Sequence, residues 1–579
     1  MTGSSKSPRQ FSSASAPEAK AAGSLSSLQA ARSAVSALAA AGVRDVVLAP
    51  GSRSAPLAYA LAEAQVQGLV QVHVRIDERV AGFTALGLSR GGQRPAAVVT
   101  TSGTAVGELL PAVMEAHHAG IPLVVLSADR PSELHGSGAN QTTMQHGIFG
   151  RFPAAHASVE AGEDPAGAIS EAFGRAGGTS PAGPVHINLH FRDPLVPTAA
   201  DALAPAAAAG SRILFPEPAE PAEREPGTLA ELAGAHHTVV VAGDGAGEVA
   251  AMFAQRAGLP LFAEPSSNAR FGPNAIPAYR LLLGELGGQI ERVVVFGRPT
   301  LSRPVAALLA RPEVRKALYV PRPVNWFEPG KRPETVISDL GALLAFAGSG
   351  APGWLDSWQR ASEVAEAAIA SLLASEAGLS GLHVAGLVWA ASDGNLVLGS
   401  SNTIRDVDLV ASTHWHPLDV YANRGLAGID GTISTAAGIA LAQGIPTRLL
   451  LGDLTFLHDA GGLLLGDGET EPDLQLVVLN DSGGGIFSLL EHGELGEREE
   501  YRGVVERFFG TPHRADIAGL AAGYGVPHQF ARTAEELSAA LDAPIRGRSV
   551  IEVPVQRTGL RALHRRVQAA VKESLAGEV

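Results

Sequence analysis

Cysteine is absent from the 579 residues, which excludes disulfides, thiolate nucleophiles and Cys-type zinc sites. Excess positive charge is also missing. A net charge of −14 argues against a nucleic-acid partner, whose binder carries a basic surface. It leaves room for an anionic small substrate held by a few inward-facing arginines. No apolar run reaches the length that spans a bilayer. The opening MTGSSKSPRQFSSASAPEAKAAGS lacks the apolar segment of a secretion signal. A soluble, cytoplasmic protein without a membrane partner is therefore expected, with residues 1–24 as a disordered tail. No HExxH pair occurs, and no nucleophile-elbow serine is expected.

What the chain has is apolar residues (46%) and 67 glycines, a composition suited to an α/β enzyme with many tight strand-to-helix turns. Its length exceeds what one hydrophobic core supports. From Ser24 to about Pro197, runs such as 46–50, 70–76, 96–101, 122–128 and 184–189 alternate with helical stretches at 79–90 and 104–119. That alternation predicts a parallel sheet covered on both faces. A Pro-, Ala- and Glu-rich linker over 198–227 follows. A second α/β pattern runs through 236–247, 292–297 and 316–321, and a third through 395–402, 447–454, 474–487 and 549–555. The expected fold is thus α/β, with three parallel-sheet domains at 25–197, 228–350 and 351–579.

The most informative chemistry lies in two strand-terminal segments, Gly452-Asp453-Leu454 and Asn480-Asp481-Ser482-Gly483-Gly484-Gly485-Ile486-Phe487. In open α/β sheets ligands bind beyond the carboxyl ends of strands, so Asp453, Asp481 and a glycine-rich backbone can converge there. Oxygen ligands of this kind suit Mg²⁺, which also binds diphosphate oxygens. Either segment alone reads more readily as an acidic helix cap; the pair, with its aspartates 28 positions apart, is more specific. Gly243-Asp244-Gly245-Ala246-Gly247 suggests a dinucleotide fingerprint, but its third glycine would fall at Glu248, so the match fails and no flavin is expected.

The two acidic segments resemble the cofactor signature of thiamine-diphosphate enzymes. The resemblance implies Asp453, Asp481 and the Gly483 carbonyl as ligands of Mg²⁺ (or Mn²⁺). Asp481 stands where that family usually has Asn, and Asn480 is the alternative ligand. In Arg75-Ile76-Asp77-Glu78-Arg79, an acidic helix start by residue type, the resemblance places the glutamate that hydrogen-bonds N1′ of the aminopyrimidine. Glu78 is therefore the expected catalytic residue. Leu454, Thr455 and Ile486 are expected against the cofactor, with Ile429 as the bulky residue that bends it.

Further segments narrow the resemblance. They are Ala49-Pro50-Gly51-Ser52-Arg53-Ser54, Thr101-Ser102-Gly103-Thr104-Ala105, Ala128-Asp129-Arg130-Pro131, Gly138-Ala139-Asn140-Gln141, Ser400-Ser401-Asn402-Thr403-Ile404-Arg405, Tyr421-Ala422-Asn423-Arg424-Gly425 and Gly428-Ile429-Asp430-Gly431. In this order they resemble the 2-succinyl-5-enolpyruvyl-6-hydroxy-3-cyclohexene-1-carboxylate synthases of menaquinone biosynthesis. The implied substrates, 2-oxoglutarate and isochorismate, are dicarboxylates, which arginine forks bind. By resemblance Ser401, Arg405 and Arg424 meet 2-oxoglutarate, Arg53, Arg130, Asn140, Gln141 and Arg303 meet isochorismate, and Ser52 is a further substrate-binding residue. Phe487 and Leu490 form an apolar wall. The resemblance also implies a homodimer or homotetramer with sites between subunits. Another thiamine-diphosphate decarboxylase or carboligase, or a cofactor-free binding protein on this fold, is the alternative.

Overall fold

Valine- and leucine-rich runs with little polar interruption become central strands, because a parallel strand is buried on both faces. The computed structural model describes residues 24–177, 183–198, 201, 234–328 and 330–577. The predicted tail, except Ser24, and the predicted linker, except positions 198 and 201, lie outside them.

The first sheet is formed by β1 (Asp45–Leu48), β2 (Gln71–Val74), β3 (Ala96–Thr100), β4 (Leu123–Asp129), β5 (Ala155–Val159) and β6 (Val185–His190), in the order β2-β1-β3-β4-β6-β5. Every pair is parallel. Adjacent residues alternate between two apolar clusters. Val46, Ala97 and Val99 pack on one face; Val47, Ala96 and Val98 pack on the other. This alternation is what a doubly covered sheet requires.

The short β7 (Ala235–His236) precedes the second sheet, which contains β8 (Thr238–Ala242), β9 (Leu261–Ala263), β10 (Arg292–Phe296), β11 (Arg315–Tyr319) and β12 (Thr335–Ile337). Its order is β12-β11-β10-β8-β9, and β7 pairs separately with β13 (Ser349–Gly350). The third sheet contains β14 (Asn395–Leu398), β15 (Val420–Tyr421), β16 (Thr447–Gly452), β17 (Leu474–Asn480), β18 (His528–Phe530) and β19 (Arg548–Pro554), ordered β15-β14-β16-β17-β19-β18. Numbered within its own sheet, this order repeats that of the first. The helix Trp354–Ala374 brings Trp354, Trp358, Ala365 and Ile369 into the core of the middle sheet, with Leu563, Val567 and Val571 of the C-terminal helix.

Two sequence readings need correction, and the glycine motif at 243–247 has a packing role. The helix expected over 104–119 is two helices, Thr104–Gly107 and Leu110–Ala119. Pro111 lacks the N–H that would continue the first and suits the opening turn of the second. Gly87-Leu88-Ser89-Arg90-Gly91 spells a nucleophile-elbow pattern, but it lies within the helix Glu78–Gly92, where Ser89 is buried and donates to the Pro122 carbonyl at 3.1 Å. An elbow needs a strand-to-helix turn. The glycine at 243 is required by packing, since a Cβ there would lie 2.1 Å from the Arg298 carbonyl carbon. No helix among the described residues is long and apolar enough to cross a membrane.

Candidate active site

β16 and β17 are neighbours, with Gly452 opposite Leu479, so Asp453 and Asp481 emerge side by side from adjacent strand ends. Asp453 opens the short helix Asp453–His458 and is 2% exposed. Its Oδ1 accepts from the Leu454 amide at 2.6 Å, and its Oδ2 accepts from the Gly483 amide at 2.9 Å and faces His513 Nε2 at 3.0 Å. Burial raises the Asp453 carboxyl, against the pull of these donors. Asp481 is pushed up to about 7, first by burial and then by the Asp453 charge. Its Oδ1 is buried without a hydrogen-bond partner.

Asn480, by contrast, is fully engaged. Its amide nitrogen donates to Glu552 at 2.7 Å, and its oxygen accepts from the Ser482 amide at 3.0 Å. Gly485 lies so close under Asp481 that a Cβ would meet Oδ2 at 2.1 Å. Two carboxylates, one with an orphaned oxygen, over a bare glycine backbone form an oxygen-rich cradle. That donor set fits a hard divalent cation carrying a diphosphate, and the cation would offset the repulsion between the two acids.

A cavity of about 590 Å³ opens on this loop. Its lining includes Ser401, Ile429, Asp453, Leu454, Thr455, Asp481, Gly483, Ile486 and Phe487. An adjoining cavity of about 580 Å³ shares Asn402 and Ile486 with it and is lined by Arg303, Arg405 and Leu490. Burial lowers the Arg405 guanidinium, and the neighbouring Arg424 and Arg280 lower it further. Arg424 is 2% exposed; one of its nitrogens donates to Thr300 Oγ1 at 2.7 Å, while Nε and Nη1 are buried without partners. Stranded buried donors of this kind are costly unless an anion satisfies them. Arg303 is largely exposed and forked on Glu491 at 2.8 and 3.1 Å.

The other expected residues lie on the first sheet. Glu78 is the first residue of its helix, behind the cap Asp77. Ser52 and Arg53 follow β1, and Arg53 donates to the Phe191 carbonyl at 2.9 Å. Arg130 follows β4 and donates to Ser102 Oγ at 2.6 Å and to the Gln141 carbonyl at 2.9 Å. Asn140 and Gln141 are exposed. None of these lines either cavity within one chain. Sequence reading missed Leu379, Ser380 and Gln556–Gly559 as cavity walls, and His513 as the partner of Asp453. His513 lies 60 residues from Asp453, and no spacing rule links them.

Two acids at adjacent strand ends, a glycine cradle and three doubly covered parallel sheets define an enzyme of the thiamine-pyrophosphate class. Residues 28–148 match the family described as thiamine pyrophosphate enzyme, N-terminal TPP binding domain. The chain is 58% identical over 542 residues to the 2-succinyl-5-enolpyruvyl-6-hydroxy-3-cyclohexene-1-carboxylate synthase of Paenarthrobacter aurescens, covering 92% of this chain and 95% of that one. It is 57% identical to the synthase of the same name from Renibacterium salmoninarum, with the same coverage. This chain belongs to the family of 2-succinyl-5-enolpyruvyl-6-hydroxy-3-cyclohexene-1-carboxylate synthases. A crystal structure of benzoylformate decarboxylase from Polynucleobacter necessarius shares the fold, with a TM-score of 0.63 at 17% identity, over 91% of this chain and 98% of that one.

Proposed function

We propose that this chain decarboxylates 2-oxoglutarate and joins the remaining four-carbon fragment to isochorismate, giving 2-succinyl-5-enolpyruvyl-6-hydroxy-3-cyclohexene-1-carboxylate and CO₂ in the cytoplasmic phase of menaquinone biosynthesis. The observation that carries this reading is the junction of the acidic glycine loop with a cavity lined by Arg303 and Arg405, with Arg424, whose charge acts on Arg405, keeping two buried nitrogens unpartnered.

Asp453, Asp481 and the Gly483 carbonyl would hold Mg²⁺ or Mn²⁺ and, through it, the diphosphate of thiamine diphosphate. That cofactor supplies a thiazolium ring that accepts the electron pair released by decarboxylation. Asn480 is a poor alternative ligand, since both ends of its amide are engaged. Ile429, Leu454, Thr455 and Ile486 shape the cofactor's bed. Arg405, Arg424 and Ser401 orient the dicarboxylate of the 2-oxo acid, since guanidinium forks match carboxylates. Ser52, Arg53, Arg130, Asn140, Gln141 and Arg303 serve the second substrate. Phe487 and Leu490 keep water from the reacting carbon, which would otherwise be protonated. Glu78 holds and moves a proton at N1′ of the aminopyrimidine.

In one chain both cavities are walled without any residue of the first sheet or its loops. The two residue sets therefore meet across subunits, making a homodimer the smallest complete unit, singly or doubled to a tetramer. The domains run 25–197, 228–350 and 351–579.

Mass spectrometry of the product formed from 2-oxoglutarate and isochorismate, with thiamine diphosphate and Mg²⁺, tests this reading. The expected result is the adduct, dependent on both substrates. Release of CO₂ without an adduct would instead make the chain a simple decarboxylase.

A further inference from the structure

Away from the acidic loop, Asp129, His135 and His190 bring a carboxylate and two imidazoles together, their ligand atoms all within 4.8 Å of one another. Asp129 ends β4 and is fully buried, His190 ends β6 and is buried, and His135 lies in the loop after β4 with its side chain 34% exposed. His135 Nε2 is 3.4 Å from Asp129 Oδ1, and His190 Nε2 is 3.8 Å from Oδ2. Those separations are long for hydrogen bonds. A tetrahedral ion with bonds of about 2.0 Å sets its donors about 3.3 Å apart.

The surroundings orient the donors. His190 Nδ1 lies 3.1 Å from Glu160 Oε2. Donating its proton there leaves Nε2 as a lone pair facing Asp129, and a carboxylate behind a ligating imidazole fixes its tautomer and ring orientation. Asn188 Nδ2 at 3.2 Å and Ser158 Oγ at 3.3 Å also touch Nε2, and both contacts are weak enough to yield. Asp129 is itself positioned by the Arg130 amide at 2.8 Å and Asn188 Nδ2 at 2.9 Å. The neighbouring guanidiniums are occupied elsewhere, Arg53 on the Phe191 carbonyl and Arg130 on Ser102 and the Gln141 carbonyl. His135 Nε2 meets the Arg130 carbonyl at 3.0 Å, a contact an incoming ion would replace.

We propose that Asp129, His135 and His190 form a Zn²⁺ site, with Glu160 behind His190, that clips the loop following β4 onto the ends of β4 and β6. Two imidazoles and one carboxylate, without cysteine, favour a borderline divalent ion over Mg²⁺, which takes oxygen ligands. The exposed edge of His135 leaves a position for water. The clip holds down the segment 131–147, whose regular structure is the single turn Ser132–Leu134.

The test uses untagged protein saturated with thiamine diphosphate and Mg²⁺, titrated with Zn²⁺ against a chromophoric chelator. One Zn²⁺ per chain is expected. Glu160→Gln should weaken it by roughly tenfold, the usual effect of removing a carboxylate behind a ligating histidine, and His135→Ala should weaken it further. Zn²⁺ should slow hydrogen exchange over 131–147 in the wild type and leave His135→Ala unchanged. His190→Ala should abolish binding; where that buried substitution prevents folding, His135→Ala decides, its side chain being partly exposed. Absence of bound Zn²⁺ in the wild type, or equal affinity in His135→Ala and Glu160→Gln, would overturn the site.

Discussion

Asp481 carries a buried oxygen that no protein donor satisfies, beside a second buried acid. If its carboxylate ligates the metal, Asp481→Asn retains an oxygen ligand and should stay active. Loss of one negative charge should also let the diphosphate bind at least as tightly. Asp481→Ala offers no oxygen and should lose Mg²⁺-dependent retention of thiamine diphosphate. A mere helix cap behaves differently, because Ala then costs about 1 kcal/mol of stability and leaves metal dependence alone. A Mg²⁺ titration of cofactor binding in both variants separates the two roles; an unshifted curve for Asp481→Ala would take this residue out of the site. At this scale the sequence shows two acids at strand ends that can converge, and the pairing of β16 with β17 makes them neighbours. It does not show that Asn480 is turned onto Glu552, because that partner lies on β19, 72 residues further along the chain.

Between residue and fold, a backbone-to-backbone contact joins the helix Glu78–Gly92 to the helix Thr432–Gln443. A Cβ at Gly87 would meet the Thr435 carbonyl oxygen at 2.1 Å, and one at Gly438 would meet the Thr84 oxygen at 2.2 Å. The two backbones touch, and only hydrogen fits between them. Two effects oppose each other in Gly87→Ala. Helix propensity favours Ala by about 1 kcal/mol, whereas forcing a methyl group into packed backbone costs about 1–3 kcal/mol or more. At 2.1 Å the steric cost wins, and Gly87→Ala should lower the denaturant midpoint. A midpoint equal to or above the wild type would show that the helices can separate cheaply. Activity should fall as well, since Glu78 opens the same helix.

At the scale of the whole molecule, the first and third sheets share one strand order, and each carries half of the expected site at the carboxyl ends of its strands. Mixing two inactive variants tests whether the halves meet across subunits. In a hybrid of Glu78→Gln with Asp453→Ala, one site combines both lesions and the other is wholly wild type. Random reassortment should therefore restore about one quarter of wild-type activity, half of the dimers each having one intact site. A site closed within one chain would show no recovery.

The sequence by itself determined the α/β class, the three sheets and every central strand, because a strand buried on both faces must read as a continuous apolar run. It also placed two acids at the carboxyl ends of strands, where ligands bind in open α/β sheets. The strands it missed in these sheets, β5, β9, β12, β15 and β18, are all edge strands. β5, β12 and β18 have exposed positions that break the apolar run, and β9 and β15, though buried, are only three and two residues long, too short to display one. Only the tertiary structure decided what depends on distant segments: His513 against Asp453, Arg424 with two nitrogens unsatisfied, and His190 brought to Asp129 by the pairing of β4 with β6. Each of these is a through-space relation between residues far apart in the chain, and a local pattern encodes only its own neighbours.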